Sequence, residues 1–365
     1  MQTLSVKDFN KVVSKLAEFM RYCQRLKPAD SYLVVNRNSP ILTEAALKAA
    51  QNCGLNVKRL DLSADKPYKH FPAKLLKLLR ERTPKGGIGL FDYSKHLDWS
   101  LKELGARIEL LFRTIEEVPI SWAHSPDITL DMAVNGPLQC DYKALAEEAE
   151  TMLQKLRDVK ELRITAPSGA NIEIAIPEVV KFETDCIIAP PNVYGKLGKF
   201  GNLPVGEVWT EKGKFIEVQD KETGKKVTQR YPIKLVANGT WVCDVCIGGY
   251  RGRIDPEKLI TVEFKDGIAT GFRCDDPGPR SVFEEMLATQ RRYGLPTVLE
   301  EVGIGLNEKA RVTGNMLEDE KLRGTCHLAL GNVRYHADML VDKPTIEATY
   351  SNGVTKEIMK NGIMI

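Results

Sequence analysis

The chain has five histidines, His70, His96, His124, His327 and His336, and the last two lie close together. In His336-Ala337-Asp338 an imidazole and a carboxylate stand two residues apart. On an extended segment such residues point to the same side, so both can reach one cation. His327 falls in the apolar run Gly324-Thr325-Cys326-His327-Leu328-Ala329-Leu330-Gly331, a predicted strand bounded by glycines, where a buried imidazole needs a partner. Glu207 follows the turn Gly201-Asn202-Leu203-Pro204-Val205-Gly206, which would hold one carboxylate at a fixed angle, and Glu301 precedes Val302-Gly303-Ile304-Gly305-Leu306-Asn307. Two glutamates, two imidazoles and an aspartate form a ligand set for two divalent ions ~3.5–4 Å apart that share a bridging carboxylate and a water. Such a centre makes hydroxide near neutral pH and polarises a carbonyl. Taken singly, the same residues also fit a satisfied core histidine, an ordinary surface His-x-Asp and two solvated acids.

The elements that must position these groups change character along the chain. Val12, Val13, Leu16, Phe19, Met20, Cys23 and Leu26 recur at helical spacing, and Pro28 ends that helix. A strand at Tyr32-Leu33-Val34-Val35, a helix from Leu42 to Cys53 stopped by Gly54, and a strand from Val57 to Leu62 follow. A helix from Pro72 to Arg82, a strand from Gly87 to Phe91, a helix near Trp99 to Leu104 and an extended run from Ile108 to Phe112 continue the alternation. That order predicts an α/β domain with a mainly parallel sheet over residues 1–155, closed by a charged helix near Tyr142 to Val159. Residues 156–365 read as a β-rich α+β domain carrying the metal site. Its predicted hairpins are Leu162–Thr165 with Ile172–Ile176 and Ile260–Phe264 with Ala269–Phe272, and one helix spans about Ser281 to Arg292.

Other chemistries find little support. There is no GxxxxGK[ST], no GxGxxG after a strand, no GxSxG and no HExxH, and Gly303-Ile304-Gly305 alone is no phosphate cradle. The single CxxC, Cys243-Asp244-Val245-Cys246, has no second pair to complete a four-thiolate site, and the adjoining Thr240-Trp241-Val242 predicts a strand in which its thiols face opposite ways. The eight scattered cysteines suit reduced thiols rather than a disulfide framework. Lys plus Arg number 52 and Asp plus Glu 49, too small a surplus for a dedicated nucleic-acid binder. Lys196 and Lys199 could attract a substrate carboxylate, although a lysine-rich loop is ordinarily solvated. Charge-free stretches such as Cys186 to Gly195 fall short of the roughly 20 apolar residues that cross a bilayer, and the first residues lack a signal peptide's apolar stretch, so a cytoplasmic protein without membrane contact is expected.

Five strings, in order, resemble the thermophilic aminopeptidase family of the aminopeptidase T and aminopeptidase S type. They are Gly201 to Val208, Glu301 to Asn307, Thr313-Gly314-Asn315-Met316-Leu317-Glu318-Asp319-Glu320-Lys321, Gly324 to Gly331, and His336-Ala337-Asp338. The resemblance covers residues 160–365, and the first 150 residues match only as a generic α/β domain. It implies that Glu207, Glu301, His327, His336 and Asp338 bind two divalent ions, zinc, cobalt or manganese, in a homodimeric enzyme that removes N-terminal residues from short peptides. Family members have a longer segment between the two histidines, often with a catalytic tyrosine. Here only Leu328 to Tyr335 intervene, and Tyr335 is the phenol left to fill that role, although beside His336 on a strand it would face the other way. The strings also resemble the 2,5-dihydroxypyridine dioxygenases, which implies one iron(II) on His327, His336 and Asp338 as the alternative. A non-catalytic metal-binding relative is the third reading.

Overall fold

The computed structural model describes residues 4–62, 86–92, 118–191, 197–211, 214–219, 221, 224, 226–231, 235–331 and 336–365. The helices expected at Pro72–Arg82 and Trp99–Leu104, the run Ile108–Phe112, and the side chains of Lys196 and Tyr335 lie outside these residues.

Helix α1 (Val6–Tyr22) starts where the Ser5 hydroxyl accepts a hydrogen bond from the Asp8 N–H, and it buries the stripe Val12, Val13, Leu16, Phe19 and Met20. Strand β1 (Ser31–Arg37) follows, then α2 (Pro40–Asn52), whose Pro40 stands in the first turn where its missing N–H costs nothing. Strands β2 (Asn56–Asp61), β3 (Gly86–Asp92) and β4 (Ile120–Pro126) lie parallel to β1 in the order β2-β1-β3-β4. The short α3 (Leu130–Val134) and α4 (Tyr142–Lys155) then lead out of this layer, with the Phe19 and Tyr142 rings 5.7 Å apart. The charged helix therefore stops at Lys155, and Val159 already begins a strand.

The rest is mostly antiparallel. Strands β5 (Val159–Thr165) and β6 (Asn171–Ala175) form the first expected hairpin, and β13 (Ile260–Lys265) and β14 (Ile268–Arg273) form the second. Between these hairpins lie β7 (Lys181–Thr184), β8 (Lys199–Asn202), β9 (Glu207–Glu211), the separate pair β10 (Lys214–Gln219) and β11 (Lys226–Tyr231), and β12 (Val236–Cys243). Helix α5 (Pro277–Tyr293) is capped by the Asp276 side chain and closed by the left-handed Gly294. After it come β15 (Val298–Gly305), the one-turn α6 (Met316–Asp319), β16 (Thr325–Gly331), β17 (His336–Asp342), β18 (Thr345–Tyr350), β19 (Thr355–Lys360) and β20 (Ile363–Met364).

Eleven of these strands run β17-β16-β15-β14-β13-β12-β6-β5-β18-β19-β20, and β9 branches from β15 and carries β7. The fold is thus a parallel α/β sheet beside a large antiparallel sheet. Strand β8 joins the parallel sheet beside β4, so among the described residues this sheet takes its fifth strand from well beyond residue 155. One apolar core runs from α1 through α4 into both hairpins and the β15–β17 region. No helix among the described residues is long and apolar enough to cross a membrane.

Candidate metal centre

Four adjacent antiparallel strands, β9, β15, β16 and β17, carry every residue of the expected ligand set. Their register puts Gly305 opposite Glu207, Gly303 opposite His327, Glu301 opposite Ala329, Ala329 opposite Asp338, and Gly331 opposite His336. Because side chains alternate along a strand, Glu207, Glu301, His327, His336 and Asp338 all emerge on one face. Their cross-strand partners on that face are small, Gly303, Gly305, Ala329 and Gly331, which leaves the space above them to the polar groups. A Cβ on Gly303 would stand 2.0 Å from the Cε1 and Nε2 atoms of His327, so only glycine lets the imidazole lie across β15.

Distances within the cluster are short. His327 Nε2 is 3.5 Å from Glu207 Oε2, 3.5 Å from Glu301 Oε1 and 3.9 Å from Asp338 Oδ1. His336 Nε2 is 3.2 Å from Asp338 Oδ1, as the two-residue spacing requires, and 3.9 Å from Glu301 Oε1. One ligand atom from each of Glu301, His327 and Asp338 falls within 4.8 Å of the other two. The His327 side chain is 1% exposed and that of His336 30%, so the cluster opens toward the His336 side.

A bulge in β15 explains a residue that spacing alone does not reveal. Leu299 pairs with Leu330 and Glu301 with Ala329, so Glu300 is the extra residue. In a regular strand the two glutamates would face opposite ways. Here Glu300 Oε2 lies 2.8 Å from His336 Nδ1 while Glu301 approaches the other ring nitrogen. That contact fixes the ring and leaves Nε2 for a ligand, the usual second partner of a metal-binding imidazole.

Glu207 is held from behind. Gly206 has φ +146°, and a Cβ there would meet Asn307 Cβ at 2.5 Å, so the turn requires glycine. Asp185 Oδ1 accepts hydrogen bonds from the N–H groups of Gly206 (2.8 Å) and Glu207 (3.0 Å). The Thr184 hydroxyl donates to the Glu207 carbonyl at 2.6 Å. Lys321, fully buried at the end of the α6 segment, donates to Glu207 Oε1, and its Nζ is 2.7 Å from Glu320 Oε1 and 3.1 Å from Asp185 Oδ2. Asn202 donates to the same Glu320 oxygen at 3.0 Å. Lys321, Glu320, Asp185 and Glu300 are thus parts of the centre that the ligand reading did not single out. Lys199 also departs from the solvated loop expected of it: it sits on β8, buried, 3.2 Å from Glu183. Cys243 and Cys246 are buried too, the Cys243 thiol donating to the Cys246 carbonyl at 3.1 Å, so the CxxC is a strand end and all eight cysteines are free.

Charge is unbalanced here. Six carboxyl groups (Asp185, Glu207, Glu300, Glu301, Glu320 and Asp338) face three basic groups (Lys321, His327 and His336). Burial opposes the charged form of His327, but Glu301, Asp338 and Glu207 outweigh it and raise its pKa to about 9. His336 rises likewise against burial, through Asp338, Glu300 and Glu301. Asp338 is raised by burial but lowered more by His336, His327 and Lys321, and ends well below the usual carboxylate range. Burial pushes Glu207 up, with Lys321 pulling against it. Lys321 keeps its proton because Asp185, Glu207 and Glu320 overcome the cost of its burial.

The fit to a cation follows from atoms without partners. Glu207 Oε2, Asp338 Oδ1 and the Nε2 atom of His327 are buried and make no hydrogen bond among the described residues. Orphaned acceptors of this kind are costly in a dry interior, and an ion of positive charge at their common focus satisfies them together.

No protein-family model matches the chain, and no curated protein matches its sequence. Among solved structures it is similar to wild-type AmpT from Thermus thermophilus, with TM-score 0.63, 15% identity, and coverage of 98% of this chain and 100% of that one. It is similar to the same degree to 2,5-dihydroxypyridine dioxygenase from Pseudomonas putida KT2440, with TM-score 0.61, 15% identity, and coverage of 100% and 98%. At this identity the likeness establishes the fold, a distant relationship to the one these two proteins share over their full length.

Proposed function

We propose that the protein is a metal-dependent aminopeptidase that removes N-terminal residues from short peptides. The observation that carries this reading is the convergence of Glu207, Glu301, His327, His336 and Asp338 on one sheet face, where ligand atoms of Glu301, His327 and Asp338 lie within 4.8 Å of one another. The sequence strings shared with the thermophilic aminopeptidases and the likeness to AmpT support it. A divalent ion held there, with zinc, cobalt or manganese the best matches to nitrogen and oxygen donors, supplies a Lewis acid for the scissile carbonyl and acidifies water.

The chain's own residues do the rest. Lys321 and the Asp185 cradle hold Glu207 in one orientation, and Glu300 holds His336. The excess of carboxyl groups over basic groups favours the cationic α-amino group of a peptide over a blocked terminus. Glu301, with its side chain 15% exposed against 9% for Glu207, is the more exposed glutamate of the ligand set. Homodimerisation and a cytoplasmic location belong to the same proposal.

The facial set His327, His336 and Asp338 also fits a single iron(II) with positions open for dioxygen and an aromatic ring, and the likeness to the dioxygenase supports that second reading. One experiment separates them. The protein, loaded in turn with zinc, cobalt, manganese and iron(II), is given free and N-acetylated forms of one tripeptide, and 2,5-dihydroxypyridine in air. Release of the first residue from the free peptide alone supports the aminopeptidase. Ring cleavage with iron(II) only replaces it with the dioxygenase.

A further inference from the structure

A centre with two divalent ions must place a second cation among carboxylates close to the first. That niche is present, and a side chain already occupies it. Three carboxylate oxygens, Glu207 Oε1, Glu320 Oε1 and Asp185 Oδ2, converge on one point, and the ammonium of Lys321 sits there, fully buried. Its stem is packed as closely as its head, since a Cβ on Gly206 would lie 3.3 Å from Lys321 Cβ. Glu207 is divided by this arrangement. Oε1 is committed to the ammonium, while Oε2 faces His327 at 3.5 Å without a hydrogen bond. A carboxylate bridging two metal ions gives one oxygen to each, and here one of the two is already taken.

We propose that Lys321 stands in the place of the second metal ion, so that the chain holds one divalent ion, on Glu207 Oε2, Glu301, His327, His336 and Asp338. This rests on the metal-binding reading above and departs from the two-ion expectation of the sequence. Lys321 is a cation tethered to the chain: it gives Glu207 a counter-charge that no chelator removes. Water activation would then fall to a single ion held by Glu207, Glu301, His327, His336 and Asp338, one of the ways a metal can work without a bimetallic clamp. The same lysine is compatible with hydrolysis and with the iron(II) alternative, since both run on one ion.

The test counts ions without reference to turnover. Protein stripped with chelator and dialysed is titrated with manganese(II). Free and bound ion are followed by electron paramagnetic resonance, and the metal content is checked by mass spectrometry. The expected result is one ion per chain with the spectrum of an isolated manganese(II). Lys321→Met leaves Asp185, Glu207 and Glu320 facing one another without their ammonium, and it is expected to take up a second ion with a spin-coupled spectrum. Two ions in the wild type overturn the lysine proposal and leave the metal site standing. No bound ion in the wild type overturns the site reading and this proposal together. One ion in both proteins removes the role assigned to Lys321. If Lys321→Met does not fold, the wild-type count decides alone.

Discussion

Gly303→Ala is the sharpest probe of the site's construction, because it adds one methyl group where the structure has none to spare. Gly303 is a strand residue outside the positive-φ set, so alanine carries no backbone penalty there and would ordinarily favour the strand. The new Cβ, however, would lie 2.0 Å from Cε1 and Nε2 of His327 and 2.8 Å from Cδ2. Carbon contacts settle at about 3.5–4.0 Å, so the imidazole must retreat by about 1.5 Å or the strands must part. Overpacking of this kind costs about 1–3 kcal/mol of stability. Loss of the support that orients a metal-binding imidazole costs about 10–100-fold in metal affinity, and a misplacement of about 1 Å costs on the order of 100-fold in rate. We expect Gly303→Ala to fold, to lose about 1–3 kcal/mol in urea unfolding, and to bind manganese(II) or zinc about 10–100-fold more weakly by titration calorimetry. Gly271→Ala on β14 is the control, since its Cβ would meet Glu263 at an ordinary 3.6 Å. Wild-type metal affinity in Gly303→Ala would refute the claim that His327 lies across β15 as a ligand.

Glu300→Gln should weaken metal binding by about 10–100-fold with little change in unfolding, because the carboxylate that fixes His336 is lost while the shape is kept; metal titration checks it. Asn307→Ala should cost about 1–3 kcal/mol in denaturant unfolding, since the buried amide donates to the carbonyls of Pro137 (3.1 Å) and Val205 (2.8 Å), which would be left unpaired. In metal-free protein the raised pKa of His327 makes a stabilising contribution that is complete below its ordinary value of 6.5 and is lost as pH rises through about 9. The urea midpoint of the chelated wild type should therefore fall over that interval more than that of His327→Gln, and equal slopes would contradict the assignment.

The clustering of the five candidate ligands was legible in the sequence because strand periodicity is simple: His336 and Asp338 two apart, His327 on an apolar run, Glu207 after a glycine turn. The supporting groups were not. Glu300 reaches His336 only through a bulge, and a bulge is visible in pairing, not in one strand's sequence. Lys321 ends a run of four charged residues, Glu318-Asp319-Glu320-Lys321, which by composition belongs on a surface and is buried throughout. Only the partners explain that burial: Arg311 for Glu318, the Thr313 and Gly314 N–H groups for Asp319, and the three carboxylates for Lys321. Lys199 misled in the same way, its counter-ion Glu183 lying on a different strand.

Strand β8 gives the two sheets a shared stretch of chain. It pairs with Ser121–His124 of β4 in the first, and after four intervening residues Glu207 opens β9 in the second. A fragment cut after α4 would therefore not be self-sufficient. Expressed alone, residues 156–365 would carry β8 without β4, its one partner among the described residues, an edge open to other chains, with the turn that aims Glu207 attached to it. The first half would in turn lose the strand that covers β4. Splitting the gene at its apparent seam should give two insoluble pieces, and mixing them during refolding, rather than afterwards, is the way to recover the intact molecule.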